Sequence, residues 1–146
     1  MPTFSVPVRN NEILIRVGVV GVRPTDGKPI IPEDLLDINR CDALVDTGAQ
    51  ISLVSPKVIS DVMAIPIGVG AYTAANGQTQ EADEYLLGID IPIQLGDDES
   101  TYARGMTLRV LEVPALHQEG YEVILGMDCL GLFHITMWNN TFVLSN

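Results

Sequence analysis

Short apolar runs rich in Val, Ile and Leu, interrupted every few positions by Gly, Pro, Asn or Asp, dominate this sequence and predict strands more than helices. Residues 12–22 form the first such run and lead into the turn signal Arg23-Pro24-Thr25-Asp26-Gly27. Strands are also predicted over 38–45 and 51–54. Ser55-Pro56 then supplies a cap and a first-turn proline for a short helix over 57–62. Segments 70–75 and 78–87 flank Asn76-Gly77, a dipeptide suited to a tight hairpin turn. Residues 88–95 alternate apolar and polar, with Pro92 pointing to an edge or bulge. Further strands are expected over 106–113 and 122–125, a short helical turn over 127–132, and a closing hairpin from 133–137 and 141–144. No linker, repeat or low-complexity tract divides residues 1–146, so a single, mainly β domain is expected.

Composition narrows the functional classes. The chain has 146 residues, 47% of them hydrophobic and 18% charged, enough for a packed core. Its net charge of −11, with no Lys or Arg beyond Arg109, would repel a phosphate backbone, so no nucleic-acid partner is expected. No apolar run reaches the eighteen residues of a membrane span, and Met1 to Pro7 lacks the basic-then-apolar layout of a secretory signal. Cys41 and Cys129 could form one disulfide, but buried free thiols in a reducing compartment are the favoured expectation, which gives a cytoplasmic one. They form no metal-binding spacing, and no metal or cofactor is expected. The acidic run Asp97-Asp98-Glu99 reads as a solvated loop.

One stretch carries candidate chemistry. Ala43-Leu44-Val45 runs straight into Asp46-Thr47-Gly48-Ala49, and Ile51 to Val54 resumes as a strand at once. This order puts a carboxylate at a strand end among apolar neighbours, where it needs hydrogen bonds to offset desolvation. Gly48 allows backbone N–H groups to approach the acid, and Thr47 adds a hydroxyl. Taken alone, Asp-Thr-Gly is equally a surface turn.

The surroundings tip that balance. Two apolar residues before Asp46-Thr47-Gly48-Ala49-Gln50, together with Val123-Ile124-Leu125-Gly126 downstream, resemble the two signatures of the retropepsin-like aspartic proteases. The first is especially similar to the retropepsin domain of eukaryotic DNA-damage-inducible proteins and to bacterial retropepsin-like proteases. The resemblance spans roughly residues 12–144 and includes a hairpin at Asn76-Gly77 in the place of a flap. It departs at Met127, where viral members often carry Arg, at Gln50, where they carry Asp, and in an insertion around 95–104.

What the resemblance implies is a closed β-barrel-like acid protease fold, one lobe per chain, with a short helix after the second motif. Asp46, Thr47 and Gly48 would be the catalytic triplet, and Ile124, Leu125 and Gly126 would support it. Ala49, Gln50, Asn76 and Gly77 would meet an extended peptide substrate. Aspartic proteolysis requires two carboxylates, and Asp90 and Asp128 both lack the following Thr/Ser-Gly. The second acid would therefore be Asp46 of another copy in a homodimer. A second reading stays open: the same fold with a silent site would be a dimerisation or peptide-binding module. His117 and His134 have no nucleophile pattern beside them, and the glycines of Gly18-Val19-Val20-Gly21 and Gly68-Val69-Gly70 read as strand or hairpin glycines rather than phosphate loops.

Overall fold

A computed structural model describes residues 3–30, 38–74, 76–94 and 101–145. In chain order the elements begin with β1 (Thr3–Pro7), β2 (Leu14–Gly21), β3 (Asn39–Val45), β4 (Ser52–Val54) and α1 (Pro56–Asp61). There follow β5 (Gly68–Thr73), β6 (Thr79–Gln94), β7 (Thr101–Glu112), a 3-10 turn over Pro114–Glu119 and β8 (Val123–Leu125). The chain ends with α2 (Met127–Leu130), β9 (His134–Trp138) and β10 (Thr141–Ser145).

Six strands close on themselves in the order β2-β3-β8-β4-β7-β6, because β6 returns to pair with β2 through Gly18↔Asp90 to Gly21↔Leu87. Closure removes open edges from this part of the sheet. It also buries one face of β2, whose Ile15, Val17 and Val19 point into the core with Ala43, Leu87 and Ile89. Burial of each such Val, Leu or Ile contributes roughly 1.5–3 kcal/mol. Cys41 and Cys129 lie in the same core as free thiols, and burial raises them to about 11 and about 12 respectively. Ser55 caps α1 by accepting from the Val58 N–H at 3.4 Å, as the Ser-Pro pair foretells.

The largest departures from the sequence reading concern length. The separate strands expected over 78–87 and 88–95 are one 16-residue strand, β6. It crosses from the hairpin through the barrel to the outer sheet, and Pro92 sits late in it, opposite Ala103. Strand β1 was not anticipated, yet it pairs with β10 along its whole length, from Thr3↔Ser145 to Pro7↔Thr141. The 3-10 turn was also missed. The expected acidic loop at 97–99 and most of the insertion around it lie outside the described residues.

Candidate active site

Strand β3 delivers Asp46 from the barrel wall. Its end pairs in parallel with β8, Ala43↔Val123 through Val45↔Leu125. The ladder continues one bond further, because the Asp46 N–H donates to the Leu125 carbonyl at 3.0 Å. The Val45 N–H donates to Ile13 at 2.9 Å on the other side, so the backbone beneath the acid is fixed from both flanks. The chain then folds over its own carboxylate. The Gly48 N–H donates to Asp46 Oδ1 at 2.9 Å, and the Ala49 N–H to the Asp46 carbonyl at 3.2 Å. A Cβ on residue 48 would stand 3.2 Å from Oδ1, so glycine keeps this approach open. Asp46 itself is half-buried, while Thr47 and Gly48 are exposed.

The second motif locks the far side of the turn. Ala49 and Gln50 carbonyls accept from the Met127 and Asp128 N–H groups at 2.8 and 3.2 Å. Gly126 passes so close that a Cβ there would fall 2.7 Å from the Ile51 carbonyl and 2.9 Å from that of Ala49. Its N–H donates to Ser52 Oγ at 3.1 Å. Ser52 is fully buried, and its hydroxyl donates in turn to Asp128 Oδ1 at 2.8 Å. The other oxygen, Oδ2, accepts from the Ser52 N–H at 3.0 Å, and Oδ1 also takes the Cys129 N–H at 2.8 Å. Asp128 thus accepts three hydrogen bonds and ties the exit of the turn to the start of α2. The sequence reading weighed Asp128 only as a second catalytic acid and missed this role. An acid just after a glycine at the head of a short helix was the available signal.

Opposite the turn stands the hairpin of β5 and the start of β6, joined in register from Gly68↔Glu84 to Thr73↔Thr79. The turn is longer than the tight pair expected at Asn76-Gly77. The last ladder-like bond runs from the Ala74 N–H to the Gln78 carbonyl at 2.8 Å, and Gly77 takes positive φ, +83°. Asn76 Oδ1 accepts from the Gln78 N–H at 3.0 Å and so shapes the tip. Between turn and hairpin lies a cleft of about 370 Å³, lined by Gly48, Ala49, Gln50, Ile51 and Leu53 from below and by Ala71 to Thr73 and Thr79 from above. Among the described residues, no charged side chain lines it. Ala49 and Gln50 fall at the cleft as expected; Asn76 and Gly77 lie at the hairpin tip, away from its lining.

One further group senses the acid. Tyr121 is held above the usual phenol range by burial first, then by Glu119, Glu12 and Asp46. Among the described residues, no cluster of three or more His, Cys, Asp or Glu side chains is arranged to hold a metal ion.

A six-strand barrel with a carboxylate at a strand end and a hairpin across a cleft is the retropepsin-like fold. A solved structure agrees: the chain superposes on a retropepsin-like aspartic protease from Rickettsia conorii with a TM-score of 0.57 over 97% of this chain and 89% of that one. Their sequences are 14% identical, so the likeness establishes the fold alone. No family model and no curated protein matches the chain.

Proposed function

We propose that the chain is an aspartic endopeptidase that hydrolyses peptide bonds as a homodimer. The observation that carries this reading is Asp46, held at a strand end by a backbone-bonded turn whose Gly48, Ala49 and Gln50 line the cleft. One chain supplies one such acid, and the chemistry requires two. A two-fold related copy would bring its own Asp46 beside the first. Two carboxylates at that distance share a proton, because both cannot be ionised together. The ionised one takes a proton from water as the water attacks the scissile carbonyl, and the protonated one donates to the carbonyl oxygen. The substrate would lie extended beneath the hairpin, bonded along its main chain in the manner of an added strand. Two buried free thiols suit a reducing compartment, and we place the enzyme in the cytoplasm on that ground.

The test is a broad peptide library exposed to the native protein and to Asp46→Asn. Cleavage by the first and none by the second, with unchanged circular dichroism and elution volume, is the expected result. Cleavage that survives in mass-verified Asp46→Asn would overturn the assignment.

A further inference from the structure

Side chains on a hairpin alternate between its faces, and the register of β5 with β6 places Gly68, Gly70, Tyr72, Gln80 and Glu84 on one of them. The hydrogen bond from the Tyr72 hydroxyl to Gln80 Oε1, 2.9 Å, joins two of these residues across the strands. Leu111 and Arg109 of β7 continue the same face, because they lie opposite Glu84 and Leu86. The cleft beside the turn meets this face at Tyr72, while Ala71, Thr73 and Thr79 of its lining lie on the other. A second hollow of about 300 Å³ adjoins it, shares Ile51 and Ala71 with it, and reaches Glu84, Arg109 and Leu111. Gly70 lets Leu111 pack close to the hairpin at the floor between them, since a Cβ there would sit 2.6 Å from Leu111 Cδ2.

The two hollows differ in charge. The first carries none. The second holds an ion pair, Arg109 Nε to Glu84 Oε1 at 3.3 Å, with Arg109 72% exposed and Glu84 only 20%. Glu84 is engaged and largely covered. Among the described residues the guanidinium makes no other ion pair or hydrogen bond, so its two Nη groups are free to donate. A planar fork with free donors matches a carboxylate.

We infer that this second hollow is a specificity subsite for an acidic side chain, two residues further from the scissile bond than the uncharged residue seated in the cleft. The inference rests on the protease reading for its orientation. The spacing comes from strand geometry: Tyr72 and Gly70 are two residues apart on β5, about 7 Å, which is the repeat of like-facing side chains in an extended peptide. The net charge of −11 opposes an acidic ligand at long range, but salt screens that field beyond about 8 Å, whereas a contact with Arg109 is screened much less. The Glu84 carboxylate offsets part of the attraction, so the selectivity is modest.

The experiment measures binding and cleavage separately. Fluorescent octapeptide pools, each position fixed in turn as Asp, Ala or Lys, are titrated against Asp46→Asn protein and against the same protein carrying Arg109→Gln or Arg109→Glu. At one position the Asp pool is expected to bind roughly two- to fivefold more tightly than the Lys pool, in the range of a partly exposed ion pair. Arg109→Gln should remove the difference and Arg109→Glu should reverse it. Equal binding of all pools, no binding at all, or a preference unaffected by both Arg109 variants overturns the subsite. The same pools offered to the protein with Asp46 intact read out the protease assignment independently. Charge-selective binding without cleavage removes the protease and keeps the subsite; cleavage without charge selectivity does the reverse.

Discussion

The turn that holds Asp46 and the hairpin above it face each other across one cleft, yet they are built in opposite ways. Around Asp46 the backbone is bonded into β8, Ile13, α2 and its own following residues, and Ser52 beneath it is fully buried. Among the described residues, strand β5 pairs with β6 alone. Val69 on it is 64% exposed, and the tip holds one αL glycine with nothing within 4 Å of its would-be side chain. A catalytic acid must be held within a fraction of an ångström, so its support is redundant. A cover that admits a peptide chain must open, and a strand with a single neighbour opens at low cost. The same sheet thus contains a fixed half and a releasable half.

Asp128→Ala probes the fixed half and should have the largest effect on stability. It removes the acceptor of three hydrogen bonds and leaves the buried Ser52 donors unpaired. Hydrogen bonds to a charged group are worth about 1.5–3 kcal/mol each, but they are not additive within one network, so a loss of about 3 kcal/mol is expected in urea unfolding. The peptide cleavage proposed for Asp46 should fall with it, because the exit of the turn loses its anchor. A stability change below about 1 kcal/mol would show that Asp128 is not the clamp described.

Gly77→Ala probes the releasable half. The only penalty is a side chain at φ +83°, about 1 kcal/mol, and it falls on the hairpin tip. Amide exchange in β5 should quicken while the urea midpoint moves little. If Gly77→Ala lowered the midpoint as far as Asp128→Ala, the hairpin would be part of the global unfolding unit and the contrast between the halves would fail.

The comparison also marks what the sequence discloses. The turn at Asp46-Thr47-Gly48 and its partner Val123 to Gly126 were legible because both motifs are local, with chemistry written into neighbouring residues. The closed barrel, by contrast, came with the resemblance and not from periodicity; β2 alternates only over Leu14 to Val17 and is buried on both faces beyond it, where Ile38 lies against Gly18. Strand β1 escaped notice since Thr3 to Pro7 is short, and its pairing with β10 lies at the other end of the chain. Asp128 was hidden for a similar reason. Its partner Ser52 lies 76 residues away, and only the folded chain brings them together.

Asp90 gives the smallest effect and tests the barrel wall away from both halves. Its neighbours in register are Gly18 on β2 and Gly105 on β7, so no side chain stands beside it on either strand. A Cβ on Gly105 would lie 2.7 Å from Asp90 Oδ1, which shows how closely the carboxyl lies over that strand. Burial raises this carboxyl above the usual range of 3.8, and Arg40 offsets only part of the shift. A raised folded value means that the fold prefers the neutral acid. Below the unfolded value both states are protonated and the ionisation penalty is absent. As pH rises, the unfolded chain ionises first, and stability is lost until the folded carboxyl has also ionised. Native protein should therefore gain stability relative to Asp90→Asn as pH falls from 7 toward the unfolded value, because Asn carries no charge at any pH. The readout is the difference in urea midpoint between the two proteins across that window at fixed salt. A flat difference would mean that the half-buried carboxyl is as well solvated in the fold as in the unfolded chain, and an opposite slope that Arg40 outweighs burial.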